Sequence, residues 1–219
     1  MLKTFTLLFS AAAVLTVPAA AKAKLTCELI DRAISANEDF VEVVLGVDQS
    51  ARADAQAAVH RSFEKVAQDM SPAAQVVSKK FIAALDKALV TGDSAGAALA
   101  AVENYGVFVK VFEARLATTY DAAMLDYAGF KLHSLLAAQS VDWVKLEATV
   151  AETTEHWNKA GLDKGQKALS DLMHNLLASL DEAAGARNPQ WLHSSAQILL
   201  DSVDLVEGVI KNPAAEACS

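Results

Sequence analysis

The chain has 219 residues, 27 acidic against 19 basic, for a formal charge of −8, with only 9 Gly, 4 Pro and 2 Cys. Apolar residues make up 53% and aromatics 6%, and the 44 alanines amount to about a fifth of the sequence. This balance excludes collagen-like and disulfide-dense scaffolds, argues against wholesale disorder, and has the wrong sign for a nucleic-acid partner.

Residues 1–23 read as a cleaved secretory signal. Lys3 supplies the positive end, an apolar run from Phe5 to Val17 follows, and Pro18 ends it before a series of small residues. Cleavage after Ala21 or after Ala23 satisfies the small-x-small rule. Thirteen helical residues span about 20 Å, short of the ~30 Å hydrocarbon core, so the run is not expected to act as a membrane anchor. Removal of the segment takes away Lys3 and Lys22 and no acid, which moves the charge from −8 to −10. The mature chain, residues 24–219, has no 18-residue apolar stretch and is expected to be a soluble periplasmic or secreted protein, not an integral membrane protein.

In chain order, Leu29, Ile30, Ala33, Ile34, Phe40, Val41, Val44 and Leu45 form the apolar stripe of a first helix, broken near Gly46–Ser50. A second covers about 51–69. Ser71-Pro72 is a cap followed by proline at the first helical position and opens a third, which Thr91-Gly92-Asp93-Ser94 ends. The stretch 95–139 keeps helical spacing through the β-branched run Val107–Phe112, with Gly106 and Gly129 as its interruptions. Ser140 is expected to cap the next helix, closed by Gly161. Another follows from about Leu162 to Ala184, and Asn188-Pro189 repeats the cap-plus-proline signal before a last helix to Lys211.

Six to eight helices joined by short connections predict an all-α, single-domain antiparallel bundle. Ala-rich faces such as 95–101 would let helices approach closely. In an oxidising compartment, Cys27 and Cys218 are most simply a disulfide tying the two ends of the chain together.

The familiar catalytic signatures are absent: no Gly-rich phosphate loop, no Gly-x-Ser-x-Gly, no His-Glu-x-x-His. The five histidines are the remaining place for site chemistry. His60 with Glu64 and Glu152 with His156 stand at i,i+4, and Asp171 with His174 at i,i+3, spacings that put two metal ligands on one helix face. A turn at Gly161 would offset His156 and His174 by eight residues, ~12 Å along the helix axis, too far to share one ion. A b-type haem would need His or Met ligands, for which Met70, Met124, Met173 and the apolar-flanked His133 and His193 are available. Trp143, Trp157, Trp191, Tyr120 and Tyr127 suit either a small-ligand pocket or core packing. The expected function is that of an exported, non-enzymatic helical bundle that binds a protein partner or small ligand. A metal- or haem-binding bundle is the alternative.

Overall fold

The computed structural model describes residues 25–47, 49–116, 119–160 and 166–209. Residues 1–23, read from the sequence as a signal, together with Gly161 and Cys218, lie outside the described residues. Among those described there is no strand, and the α-helices are α1 (Cys27–Leu45), α2 (Arg52–Val66), α3 (Pro72–Thr91), α4 (Ser94–Val111), α5 (Glu113–Leu116), α6 (Tyr120–Leu136), α7 (Trp143–Ala160), α8 (Lys167–Gly185) and α9 (Pro189–Val209). A 3₁₀ turn, Ala67–Asp69, extends α2. These nine exceed the six to eight read from sequence because the 95–139 stretch splits into three.

Local chemistry sets most helix ends. The amide of Ala74 donates to Ser71 Oγ at 3.2 Å, that of Gly96 to Asp93 Oδ1 at 2.8 Å, and that of Trp191 to Asn188 Oδ1 at 3.0 Å. Each bond satisfies one of the amides left free in a first turn. Gly92 closes α3 at φ 73°, a left-handed conformation that glycine adopts without steric cost. The cap of α7 is Asp142, whose Oδ1 accepts from Lys145 N at 3.2 Å, and not Ser140. A carboxylate there also answers the partial positive charge of the helix N-terminus, which a serine does not.

Gly106 and Gly129 interrupt nothing: both lie inside helices, and the chain breaks at Phe112 instead. Their role is close approach. A Cβ at Gly106 would stand 2.7 Å from Tyr127 Cε2, and one at Gly129 would stand 2.5 Å from Leu200 Cδ2. The missing side chains therefore let α4 close on α6 and α6 on α9.

Eleven of the 17 residues of α6 are buried, so it is covered around most of its circumference rather than along one stripe. Met124, Tyr127 and Phe130 join an apolar cluster with α1–α4, while Leu125, Leu132 and Leu135 join a second with α7–α9. One order of neighbours occurs twice: α1 packs on α2 and α4, and α3 on α4; α6 packs on α7 and α9, and α8 on α9. Contacts between α4 and α6 connect the two sets. In the first set the alanines Ala97, Ala98, Ala100 and Ala101 are buried on α4. A buried polar chain fixes its alignment: Ser78 donates to Asn104 Oδ1, Asn104 to Asn37 Oδ1 at 3.0 Å, and Asn37 to the Ala33 carbonyl at 2.7 Å.

Candidate functional site

Three helical stripes meet along one seam. On α1 the stripe runs Asp31, Ser35, Glu38, Val41, Leu45; on α6 it runs Asp126, Phe130, His133, Ala137; on α9 it runs His193, Gln197, Leu200, Asp204, Glu207. Steps of three and four residues keep each set on one face. Each stripe changes character along its length: all three are acidic at one end, and the other end is apolar on α1 and mixed on α6 and α9, where His133, His193 and Gln197 stand with Phe130 and Leu200. The seam consequently has two openings of opposite chemistry.

The apolar opening is a cleft of about 840 Å³ bordered by α1, α6 and α9. Val41, Leu45, Phe130, Leu136 and Leu200 supply apolar wall; His133, His193, Gln190, Ser194, Gln197 and Glu42 supply polar groups. His133 and His193 touch edge to face, with ring centroids 4.6 Å apart. Among the described residues, His133 Nε2 is buried without a hydrogen-bond partner. Burial first, and then the neighbouring His193, push the His133 imidazole down to about 4, while the Ala196 backbone draws it partly back. The ring is therefore neutral at pH 7.

The acidic opening is smaller, about 330 Å³, and gathers Asp31 and Glu38 from α1, Tyr105 from α4, Asp126 from α6, and Asp204 and Glu207 from α9. The buried Tyr105 hydroxyl lies 2.9 Å from the Ala123 carbonyl and 3.1 Å from Asp126 Oδ2. Burial and the facing Asp126 carboxylate raise Glu38 to about 9, and burial raises Asp126 to about 6. With one proton between them, Glu38 donates to the Asp126 carboxylate. Partial desolvation and neighbouring carboxylates also raise Glu207 and Asp31, although both side chains stay exposed. Among the described residues no Lys or Arg borders this opening.

The histidines singled out by helical spacing have partners on their own or neighbouring helices. His60 Nε2 lies 2.9 Å from Asp86 Oδ1 on α3, and Glu64 borders the same shallow depression. His156 Nδ1 lies 2.8 Å from Asp121 Oδ1 on α6, whereas Glu152 reaches Lys110 at 3.7 Å. Asp171 pairs with Lys167, and His174 Nδ1 lies 2.7 Å from the Ser170 carbonyl with its ring edge-on to Trp157. Among the described residues no three His, Cys, Asp or Glu side chains gather as a metal site would require. Met70, Met124 and Met173 are buried in the core, and none borders the cleft beside His133 and His193. Tyr127 and Trp157 are buried in the apolar clusters, and the exposed Trp191 donates its indole N–H to Ser179 at 2.8 Å. No helix among the described residues is long and apolar enough to cross a membrane.

The carboxylates of the seam were missed from sequence because they come from several helices. The available signal was a stripe on α1 and α9 that turns from acidic to apolar within one helix. No family model, curated protein or solved structure matches the chain.

Proposed function

We propose that this chain is an exported, single-domain antiparallel helical bundle that binds a small, largely apolar ligand in the cleft between α1, α6 and α9. The observation that carries the reading is the cleft itself: about 840 Å³ of mostly apolar wall with a few convergent polar groups. Small-molecule sites have this construction, in volumes of roughly 300–1,000 Å³. A bundle suits the task, because the space between helices is set by side-chain size and opens without breaking a backbone hydrogen bond. Removal of residues 1–23 after Ala21 or Ala23, and a Cys27–Cys218 bridge closing the mature chain, complete the proposal. N-terminal sequencing and alkylation of the unreduced protein test those two parts.

Titration with diphenylhexatriene, a hydrocarbon that fluoresces when taken out of water, tests the ligand site. The expected result is saturable binding of one probe per chain, weakened by Gln197→Trp, which fills the rim from an exposed position. No saturable signal, or a signal indifferent to Gln197→Trp, would count against the reading.

A second reading, a metal or haem carrier, draws on the contact between His133 and His193. A b-type haem held by both histidines would need the two rings on opposite faces of the iron, which rings in edge-to-face contact at 4.6 Å do not offer. A haem held by one of the histidines, or a single ion held by both imidazoles, is the form left to test. Stoichiometric metal in protein purified from the periplasm would support it, and its absence there would oppose it.

A further inference from the structure

Resting on the reading of the cleft as a ligand site, we infer that His133 and His193 hold the hydroxyl head group of an otherwise apolar ligand whose body lies on Val41, Leu45, Phe130 and Leu200. The starting point is the buried His133 Nε2, which has no hydrogen-bond partner among the described residues. A buried polar atom left in this state keeps the full cost of its lost hydration, so such atoms are rare in folded proteins unless something else satisfies them. The His193 ring stands beside the His133 ring, at 4.6 Å between centroids, and His193 is an exposed position on α9. Both histidines border the cleft, so a ligand seated there meets the two rings.

The chemistry of the head group follows from the surroundings. Burial keeps the His133 imidazole neutral at pH 7, so it offers one N–H and one bare nitrogen. A hydroxyl both donates and accepts, and therefore fits either tautomer. A carboxylate would meet no fixed positive charge among the residues of the cleft wall and would face Glu42 there. An ammonium group would be drawn to the Glu42 carboxylate of the cleft wall or to the acidic opening of the seam, rather than to the neutral His133. A chelated metal ion lacks a third ligand, since no three metal-binding side chains gather among the described residues.

Displacement of bound diphenylhexatriene by four octyl compounds tests the assignment: octanol, octanoate, octylamine and chlorooctane. Each variant is read against its own probe affinity, and the measured quantity is the ratio of octanol to chlorooctane affinity, which cancels the common apolar tail. The ratio is expected to fall about fivefold in His133→Phe, the loss of one neutral hydrogen bond. His193→Ala, at an exposed position, gives a second reading of the ratio should His133→Phe fold poorly. In the unaltered protein octanol should compete better than octanoate and octylamine. Saturable probe binding with an unchanged ratio in both variants, or with octanoate or octylamine as the best competitor, overturns the head-group assignment and leaves the cleft reading standing. Absence of saturable probe binding in the unaltered protein overturns both.

Discussion

Replacing Glu38 by glutamine should flatten the alkaline decline of stability. In the folded chain Glu38 is raised to about 9 by burial and by the facing Asp126, itself raised to about 6. An unfolded glutamate titrates near 4.3. Between those limits the folded protein holds a proton that the unfolded chain has released, so its stability is fully present below the unfolded value and is lost as pH rises toward the folded one. From about pH 7 to 8.5 one retained proton makes the free energy of unfolding fall by ~2 kcal/mol. Asp126 is largely ionised across that window. His133, lowered to about 4, acts only at more acidic pH and with the opposite sign: its contribution grows as pH rises from about 4 to 6.5. The side-chain amide introduced by Glu38→Gln would still donate to the Asp126 carboxylate but carries no proton to lose. Urea unfolding at several pH values measures the slope directly. Equal slopes in the parent and in Glu38→Gln would refute the shared proton, and with it the buried pairing of α1 with α6 at this point.

Three further outcomes are expected. Gly129→Ala forces Leu200 away from a Cβ that would sit 2.5 Å from its Cδ2, and urea melts should show a loss of ~1–3 kcal/mol from overpacking. Asn104→Ala deprives the buried Ser78 and Asn37 of their shared partner; the loss should be ~2–4 kcal/mol in the same assay, against near neutrality if that polar chain does not form. By proton NMR, His133 should titrate near 4, and His193→Ala should move it upward because one repelling neighbour is gone and the ring gains access to water.

The parts of the fold legible in the sequence are those fixed by neighbours a few residues apart. Ser71-Pro72, Asn188-Pro189 and the Thr91–Ser94 turn mark helix ends because a side-chain oxygen or a left-handed glycine settles the backbone bonds locally. The helix through Val107–Val111 is legible for a similar reason, since its i,i+4 pairs match a period that no turn residue interrupts. Gly106 and Gly129 illustrate what is not legible. As isolated glycines they suggest interruption, and only the positions of Tyr127 and Leu200 show that they are contact points between helices. The cap of α7 falls on Asp142 rather than Ser140 because two oxygen-bearing residues compete within one short connection, and the carboxylate is favoured by the helix dipole. At the candidate site, His133 and His193 can be picked out as lying beside apolar residues, but their contact depends on α6 packing against α9. Glu38 and Asp126 look like ordinary solvated acids. Their burial is a property of three helices together, and no single-helix pattern reports it.

The proposed ligand, a small apolar molecule, would lie at the non-acidic end of the seam between α1, α6 and α9. Amide chemical-shift mapping on addition of diphenylhexatriene tests this most directly, because it locates the ligand without altering the protein. Shifts should concentrate in residues 41–46, 130–137 and 189–200, with little change at His60, His156 and His174. Shifts concentrated elsewhere, or spread evenly along the chain, would contradict that placement.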